Sequence, residues 1–131
     1  MESELHRSMK LMVRCELESQ RYRVVEEPPY PPTRRISWTA YRPDLLGLRS
    51  EPGVEEVAIV ECETHPSMTR FAAKNHTSLW FEPEIFREGS IRRILAVPRG
   101  RLHAVDLRLR RHWEIWVLGP TAPLERISAT G

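Results

Sequence analysis

Apolar side chains recur at helical spacing near the start of the chain, and they predict an amphipathic helix over residues 2–21. Ser3 is placed to cap the first turn of this helix. The pattern indicates one buried face along the whole length of the helix. The residues expected on that face are Leu5, Met9, Met12, Val13 and Leu17.

Three strands are predicted to follow this helix. Residues 22–25 form a short strand that runs into the proline-rich segment 28–32, which is interpreted as an extended connector. Residues 35–41 alternate between apolar and polar side chains, as a half-buried strand does. Residues 57–62 follow a turn at 50–53 and are apolar on both faces, which is typical of a covered central strand.

The second half of the chain predicts one more helix and further strands. The helix is expected over residues 68–79, after a proline that opens the segment. Residues 94–97 and 115–118 are apolar runs typical of buried strands, and residues 102–109 alternate as a strand would. Residues 121–131 are expected to form a flexible tail.

The predicted order of these elements is α-β-β-β-α-β. A helix that joins two buried strands implies a right-handed crossover and a mixed β-sheet flanked by helices. We therefore assign the chain to the α/β class, with a single domain over residues 1–120.

The composition is that of a folded globular domain, with 40% hydrophobic and 29% charged residues in a chain of 131. No apolar run approaches the length of a membrane span, and the N-terminus lacks the layout of a signal peptide. We therefore expect a cytoplasmic protein with free thiols and no membrane partner. The 20 basic residues include two lysines, and the 11 prolines accompany one asparagine and one glutamine, which fits a thermophile or a GC-rich genome.

Charge is distributed unevenly along the chain. Residues 1–65 carry a net charge of −3 and residues 66–131 a net charge of +5. A basic half beside an acidic cluster suits a phosphate-bearing partner that also needs a cation, and a solvated surface of mixed charge is the simpler interpretation.

Acidic side chains gather around the predicted central strand. Asp44 directly follows Pro43, and Glu61 and Glu63 end the strand with one residue between them. Because side chains alternate along a strand, Glu61, Glu63 and His65 are expected to point to one side. If the hairpin pairs the two strands, Asp44 comes near Glu61. Carboxylates crowded in this way need a cation, and hard oxygen ligands suit Mg²⁺ or Mn²⁺.

The pattern Arg42-Pro43-Asp44, a short hairpin and then residues 57–63, which end in Glu61-Cys62-Glu63, resembles the PD-(D/E)xK nuclease superfamily. The resemblance covers about residues 1–98 and implies a restriction-endonuclease-like core. It implies that Asp44 and Glu61 are metal ligands, with Glu63 at the position where most members carry a catalytic lysine. The family often adds an acid from the leading helix, where Glu4 and Glu16 are both available.

Glu63 departs from the family pattern, and Lys74 on the predicted second helix offers a surrogate lysine. It would accept a proton or hold a phosphate, and a solvent-facing lysine is the alternative for that position. His65 could orient the attacking water or steady a phosphate, and Arg70 could hold the flanking backbone of a nucleic acid. The expected nucleic-acid contacts are Arg42, His65 and Arg70.

The function expected from the resemblance is hydrolysis of DNA phosphodiester bonds by a metal-activated water, with Mg²⁺ or Mn²⁺ as cofactor. One alternative is a catalytically inactive module of the same fold that binds nucleic acid or a protein partner. Another is a structural protein whose acidic pair is neutralised by arginine. Because such nucleases often act as dimers, the resemblance also suggests a homodimer.

Cysteine and tryptophan positions carry further expectations. Cys62 alternates with the two glutamates, so it is expected to be a small buried hydrophobe on the opposite face. Cys15 is expected to be a free thiol, with a Cys15–Cys62 disulfide as the alternative. Trp113 and Trp116 are expected in the core or at an interface, with stacking on nucleic-acid bases as the alternative.

Overall fold

A computed structural model of the protein describes residues 3–26, 36–37, 43–51, 54–64, 80–81, 91–104, 113–119 and 125–127. A 3₁₀ helix, Arg99–Ala104, lies between the sixth and seventh of the strands. In chain order the other elements are α1 (Glu4–Ser19), β1 (Arg23–Glu26), β2 (Ile36–Ser37), β3 (Leu45–Glu51), β4 (Val54–Cys62), β5 (Trp80–Phe81), β6 (Ile91–Pro98), β7 (Glu114–Leu118) and β8 (Glu125–Ile127).

Six of these strands form one mixed sheet in the order β1-β3-β4-β6-β7-β8. The β4–β6 and β6–β7 pairs are parallel, and the β1–β3, β3–β4 and β7–β8 pairs are antiparallel. A helix packed on a mixed sheet confirms the α/β class. The strands β2 and β5 form a separate two-stranded ladder.

Helix α1 forms as the periodicity predicts, and Ser3 caps it by accepting a 3.1 Å hydrogen bond from the amide of His6. The prediction that Leu5 faces the core is wrong, because Leu5 is 49% exposed and His6 takes the inward position in the first turn. In the ranges that are described, no helix combines the length and the apolar character needed to cross a membrane. The buried residues of α1 are Met9, Lys10, Val13 and Leu17.

The end of α1 is a Schellman motif. The amide of Tyr22 donates to the carbonyl of Leu17 at 3.0 Å, and the amide of Arg21 donates to the carbonyl of Glu18 at 3.0 Å. Arg21 adopts a left-handed backbone with φ of 70° to make this turn. The chain then enters β1 directly, which fixes the angle between α1 and the sheet.

The meander that precedes the central strand differs from the prediction. Residues 35–41 were expected to supply its middle strand, but Ile36–Ser37 pairs with β5 instead. The middle strand is β3, which pairs with β1 on one side and β4 on the other. Leu45 and Leu46 are both buried, so β3 lacks the alternation of a half-buried strand, and Gly47 lowers its strand propensity further.

The predicted strands at 57–62, 94–97 and 115–118 are confirmed within β4, β6 and β7. Because β4 and β6 are parallel neighbours, the chain between them must cross over, as expected. The helix predicted at 68–79 and the proline segment at 28–32 lie outside the described residues.

Two features of the C-terminal part differ from the prediction. The alternation at 102–109 does not mark a strand where it is described, because Leu102–Ala104 belong to the 3₁₀ helix. Strand β8 pairs with β7 inside the segment predicted to be a flexible tail. Its three residues are too few to produce a periodic signal.

The sheet buries apolar side chains on both faces. Cys62 packs on the α1 face as a free, buried thiol, and Cys15 is free and exposed, so both predictions are confirmed. Trp113 and Trp116 are fully buried, which confirms their place in the core and removes them as base-stacking surfaces. The α1 face holds Ala58, Val60, Cys62, Ile94, Ala96, Trp116 and Leu118, and the opposite face holds Leu95, Val97, Trp113, Ile115 and Val117.

Candidate functional site

Asp44 lies directly before β3 and is locked onto the end of β4. Its amide donates to the carbonyl of Val60 at 3.0 Å, and its Oδ2 accepts from the amide of Cys62 at 2.7 Å. These two bonds flank the backbone of Glu61 on either side. The predicted approach of Asp44 to the end of the central strand is therefore confirmed.

Glu61 and Glu63 are both buried, with 2% and 4% of their surfaces exposed. The amide of Glu63 donates to the carbonyl of Ala96 at 2.9 Å, so pairing with β6 continues past the end of β4. Strand alternation places Glu61 on the face opposite Cys62. Burying ionised carboxylates is costly unless cationic groups offset their charge, so the end of β4 is a place where positive charge is needed.

The pKa of the Cys62 thiol reflects the acidic residues around it. Burial raises the pKa of Cys62 well above its usual range, and the negative charges of Asp44 and Glu61 raise it further. The thiol therefore stays protonated and acts as a packing group and not as a nucleophile.

Helix α1 delivers His6 to the same point. The Nε2 atom of His6 lies 3.1 Å from the carbonyl oxygen of Cys62 and 3.5 Å from Oδ2 of Asp44. The sequence interpretation did not single out His6. The available signal was its position one turn before Lys10, on the inward face of a helix that otherwise buries apolar residues.

Lys10 is the second polar residue on that inward face. Its side chain is 4% exposed, and its Nζ lies 3.7 Å from Oε2 of Glu26 at the end of β1. Its positive charge opposes the rise in the pKa of Cys62, so it acts electrostatically on the acidic strand end. The sequence interpretation also passed over Lys10 and looked for a cation at Lys74.

A second buried cation, Arg93, lies on the face of the sheet opposite α1. The register pairs Arg93 with Ile59 and Glu61 with Leu95, so Arg93 and Glu61 are diagonal neighbours on one face. The Arg93 guanidinium stacks 4.3 Å from the centre of the Trp113 ring. Burial lowers the pKa of Arg93 to about 9, so the group is still a cation at neutral pH.

Several predicted site residues lie outside the described residues: Arg42, His65, Arg70 and Lys74. The two acids of the leading helix lie near its opposite ends. Glu4 is exposed in the first turn, and Glu16 accepts a 3.1 Å bond from Gln20 at the far end of α1. The ten residues between His6 and Glu16 correspond to about 15 Å along the helix.

The donor atoms at the end of β4 decide whether a divalent ion fits there. Carboxylate oxygens are the ligands that Mg²⁺ and Mn²⁺ prefer. Asp44, Glu61 and Glu63 lie at the end of β4, where the positive charge of an ion would offset their negative charge. Among the residues that the structure describes, however, no three Asp, Glu, His or Cys side chains lie close enough to hold a metal. Oδ2 of Asp44 already accepts a hydrogen bond from the backbone amide of Cys62. Glu61 lies on the face of the sheet opposite Cys62 and α1.

A second polar cluster occupies the opposite end of the sheet. Tyr22 donates to Oε2 of Glu56 at 3.1 Å, and Arg49 donates to the same oxygen. Arg92 donates from Nε and Nη2 to the two carboxylate oxygens of Glu114 at 2.8 and 2.9 Å. Because its charges are paired within the fold, this cluster is interpreted as structural.

Comparison of the chain with protein-family models, with curated proteins and with solved structures finds no match in any of the three. The likeness to PD-(D/E)xK nucleases therefore depends on the motif residues of the sequence.

Proposed function

We propose that this domain hydrolyses DNA phosphodiester bonds with the help of a divalent metal ion. The observation that carries the proposal is the 2.7 Å hydrogen bond from the Cys62 amide to Asp44. It holds the carboxylate of Asp44 at the end of the central strand, next to the backbone of Glu61.

The topology supports the same proposal. A leading helix, an antiparallel meander of β1, β3 and β4, and a crossover to the parallel strand β6 are compatible with the order that the resemblance implies for a restriction-endonuclease-like core. The acids stand at the carboxyl ends of the parallel strands, where open α/β sheets bind their ligands. These features support a ligand site at this end of the sheet. A fold alone does not define a reaction, so the proposed chemistry is argued from the side chains.

The proposed roles follow from the donor types. Asp44 and Glu61 would hold the metal ion, with Glu63 as a further oxygen donor. When bound, the ion would activate a water and offset the charge that develops on the phosphoryl group. Nε2 of His6 lies 3.5 Å from Oδ2 of Asp44, and the buried ammonium of Lys10 adds positive charge near the strand end.

The proposed partner is DNA, met in the cytoplasm. The net charge of +5 over residues 66–131 favours a polyanion. Arg42, His65 and Arg70 remain the proposed contacts to its backbone, and Lys74 remains the proposed surrogate for the catalytic lysine. A homodimer remains a proposal derived from the family likeness.

A second candidate is a module of the same fold that binds nucleic acid without cleaving it. Two observations favour it: Glu63 stands at the usual lysine position, and Oδ2 of Asp44 is already engaged by a backbone amide. The other alternative is a structural protein whose acidic pair is neutralised by arginine. Arg93 is the candidate arginine, because it lies on the same face of the sheet as Glu61.

Cleavage of labelled duplex, flap, four-way junction and single-stranded DNA tests the proposal. Wild type, Asp44→Asn and the matched exposed-carboxylate control Glu18→Gln are compared with Mg²⁺, Mn²⁺ or chelator. The proposal expects metal-dependent cleavage that Asp44→Asn abolishes and Glu18→Gln retains. DNA binding without cleavage, equal with metal and with chelator, supports the non-catalytic module and contradicts the nuclease.

A further inference from the structure

Two exposed arginines lie at the end of the sheet where the parallel strands finish. Strand β6 ends at Pro98, and Arg99, Gly100 and Arg101 follow it as the first turn of the 3₁₀ helix. All three residues are exposed. This segment, residues 99–101, is the arginine turn. It lies outside the residues to which the proposed function gives a role.

The fold fixes the place of the arginine turn. Pro98 pairs with Leu118 of β7, and the amide of Glu63 donates to the carbonyl of Ala96 at 2.9 Å. The 3₁₀ helix that contains the turn packs against both β6 and β7. The turn is therefore anchored beside the ends of β4, β6 and β7, which is the end at which open α/β sheets bind their ligands.

The exposed charge at this end of the sheet is opposite in sign to the buried charge. Glu61 and Glu63 are buried, and the side chain of Asp44 is 13% exposed. Arg99 and Arg101 are exposed, so a partner that approaches from solvent meets arginine before it meets carboxylate. The arginine turn therefore favours an anionic partner over a cation.

The arginine turn also leaves room for a close approach. A Cβ built on Gly100 meets no heavy atom of the described residues within 4 Å, so the space over the turn is open. A guanidinium is planar, and its N–H donors match the paired oxygens of a phosphate group. Two guanidinium groups on one short turn have the chemistry that contacts to a nucleic-acid backbone use.

We propose that Arg99 and Arg101 contact the phosphate backbone of DNA and hold it at the carboxyl ends of the parallel strands. The inference rests on the proposed function for its partner, DNA, and it does not depend on a metal ion. Contacts of this kind position a nucleic acid without reading its base sequence. Each neutralised phosphate releases counterions, so the contacts contribute to the salt dependence of binding.

The test is the binding of a fluorescently labelled DNA duplex, measured by anisotropy in chelator between about 50 and 200 mM salt. The test variant combines Arg99→Gln and Arg101→Gln. The matched control combines Arg21→Gln and Arg23→Gln, which remove two exposed charges at the opposite end of the sheet. A rescue variant combines Arg99→Lys and Arg101→Lys and keeps the charge of the turn.

We expect the glutamine variant of the turn to bind the duplex about tenfold or more weakly than wild type at the lower salt concentration. The slope of log K against log salt should become shallower by about 1 to 2. The lysine variant should recover the slope, and the control should keep the affinity and the slope of wild type. Wild-type affinity and slope in the glutamine variant, or an equal loss in the control, would overturn the role of the turn.

Binding and cleavage separate this inference from the proposed function. If wild type binds DNA in chelator and cleaves none with metal, the nuclease fails, and the variants still decide the role of the arginine turn. If wild type cleaves DNA and the glutamine variant binds it as wild type does, the role of the turn fails while the nuclease stands. A wild type that binds no duplex overturns this inference, whatever the cleavage result.

Discussion

The carboxylate of Asp44 accepts a 2.7 Å hydrogen bond from the amide of Cys62, 18 residues further along the chain. This bond closes the β3–β4 hairpin at the end away from its turn. The register that pairs Leu45 with Val60 therefore also sets the position of the acidic site. Fold and site share one determinant, so substitutions at Asp44 should affect both.

Replacing Asp44 separates its charge from its hydrogen bond. Asp44→Ala leaves the Cys62 amide without its acceptor and should lower the free energy of unfolding by about 1–3 kcal/mol. Asp44→Asn keeps an acceptor oxygen and should stay within about 1 kcal/mol of wild type. Urea denaturation measures both, and equal stability of the two variants contradicts a structural role for this bond.

Gly47 is required by the close approach of Tyr22. A Cβ at this position would lie 3.1 Å from Cδ1 of Tyr22 and 3.3 Å from Cβ of Ala58. Gly47→Ala should therefore cost about 1–3 kcal/mol of stability through overpacking. The control is Gly100→Ala, where a Cβ meets nothing within 4 Å and the change should stay within about 0.5 kcal/mol. Equal effects of the two substitutions on thermal unfolding would refute the packing argument.

Glu56 should make the stability depend on pH in the acid range. The hydrogen bond from Arg49 lowers the pKa of Glu56 in the folded protein. Its stabilising effect is therefore complete above the unfolded value of about 4.3 and is lost as the pH falls through the lower folded value. The stability difference between wild type and Glu56→Gln should shrink between about pH 6 and pH 3. A difference that stays constant over this range contradicts the prediction.

Arg93 and Glu61 should be energetically coupled across β4 and β6. Arg93→Met removes the cation that lies diagonal to the buried carboxylate of Glu61, and Glu61→Gln removes the negative charge. In a double-mutant cycle followed by denaturation, we expect a coupling of about 1–3 kcal/mol. Strictly additive effects would remove Arg93 as the group that offsets the charge of Glu61.

Periodicity was sufficient to predict α1, β4, β6 and β7, because each has a strong helical or apolar pattern. It failed for β3, where Leu45 and Leu46 are both buried and Gly47 follows, so that pairing on both sides overrides local propensity. The tail strand β8 was missed because its three residues depend on pairing with β7.

The candidate site was predictable in part for a related reason. Asp44 and Glu61 belong to a hairpin whose ends are brought together by pairing, so their proximity follows from the strand order. His6 and Lys10 contribute through the packing of α1 on the sheet, a long-range contact that no local pattern reports. Polar residues on the inward face of an amphipathic helix were the available sign.

The most direct test is the rate at which wild type and Glu61→Gln cleave one DNA substrate in Mn²⁺ and in chelator. Glutamine keeps the shape of the side chain and removes the charge, so the variant tests the proposed role of Glu61 as a metal ligand without leaving a cavity. We predict cleavage by wild type in Mn²⁺ alone, slowed by about a hundredfold or more in Glu61→Gln. Equal cleavage by both proteins, or none by wild type while it still binds DNA in chelator, would contradict the proposed nuclease.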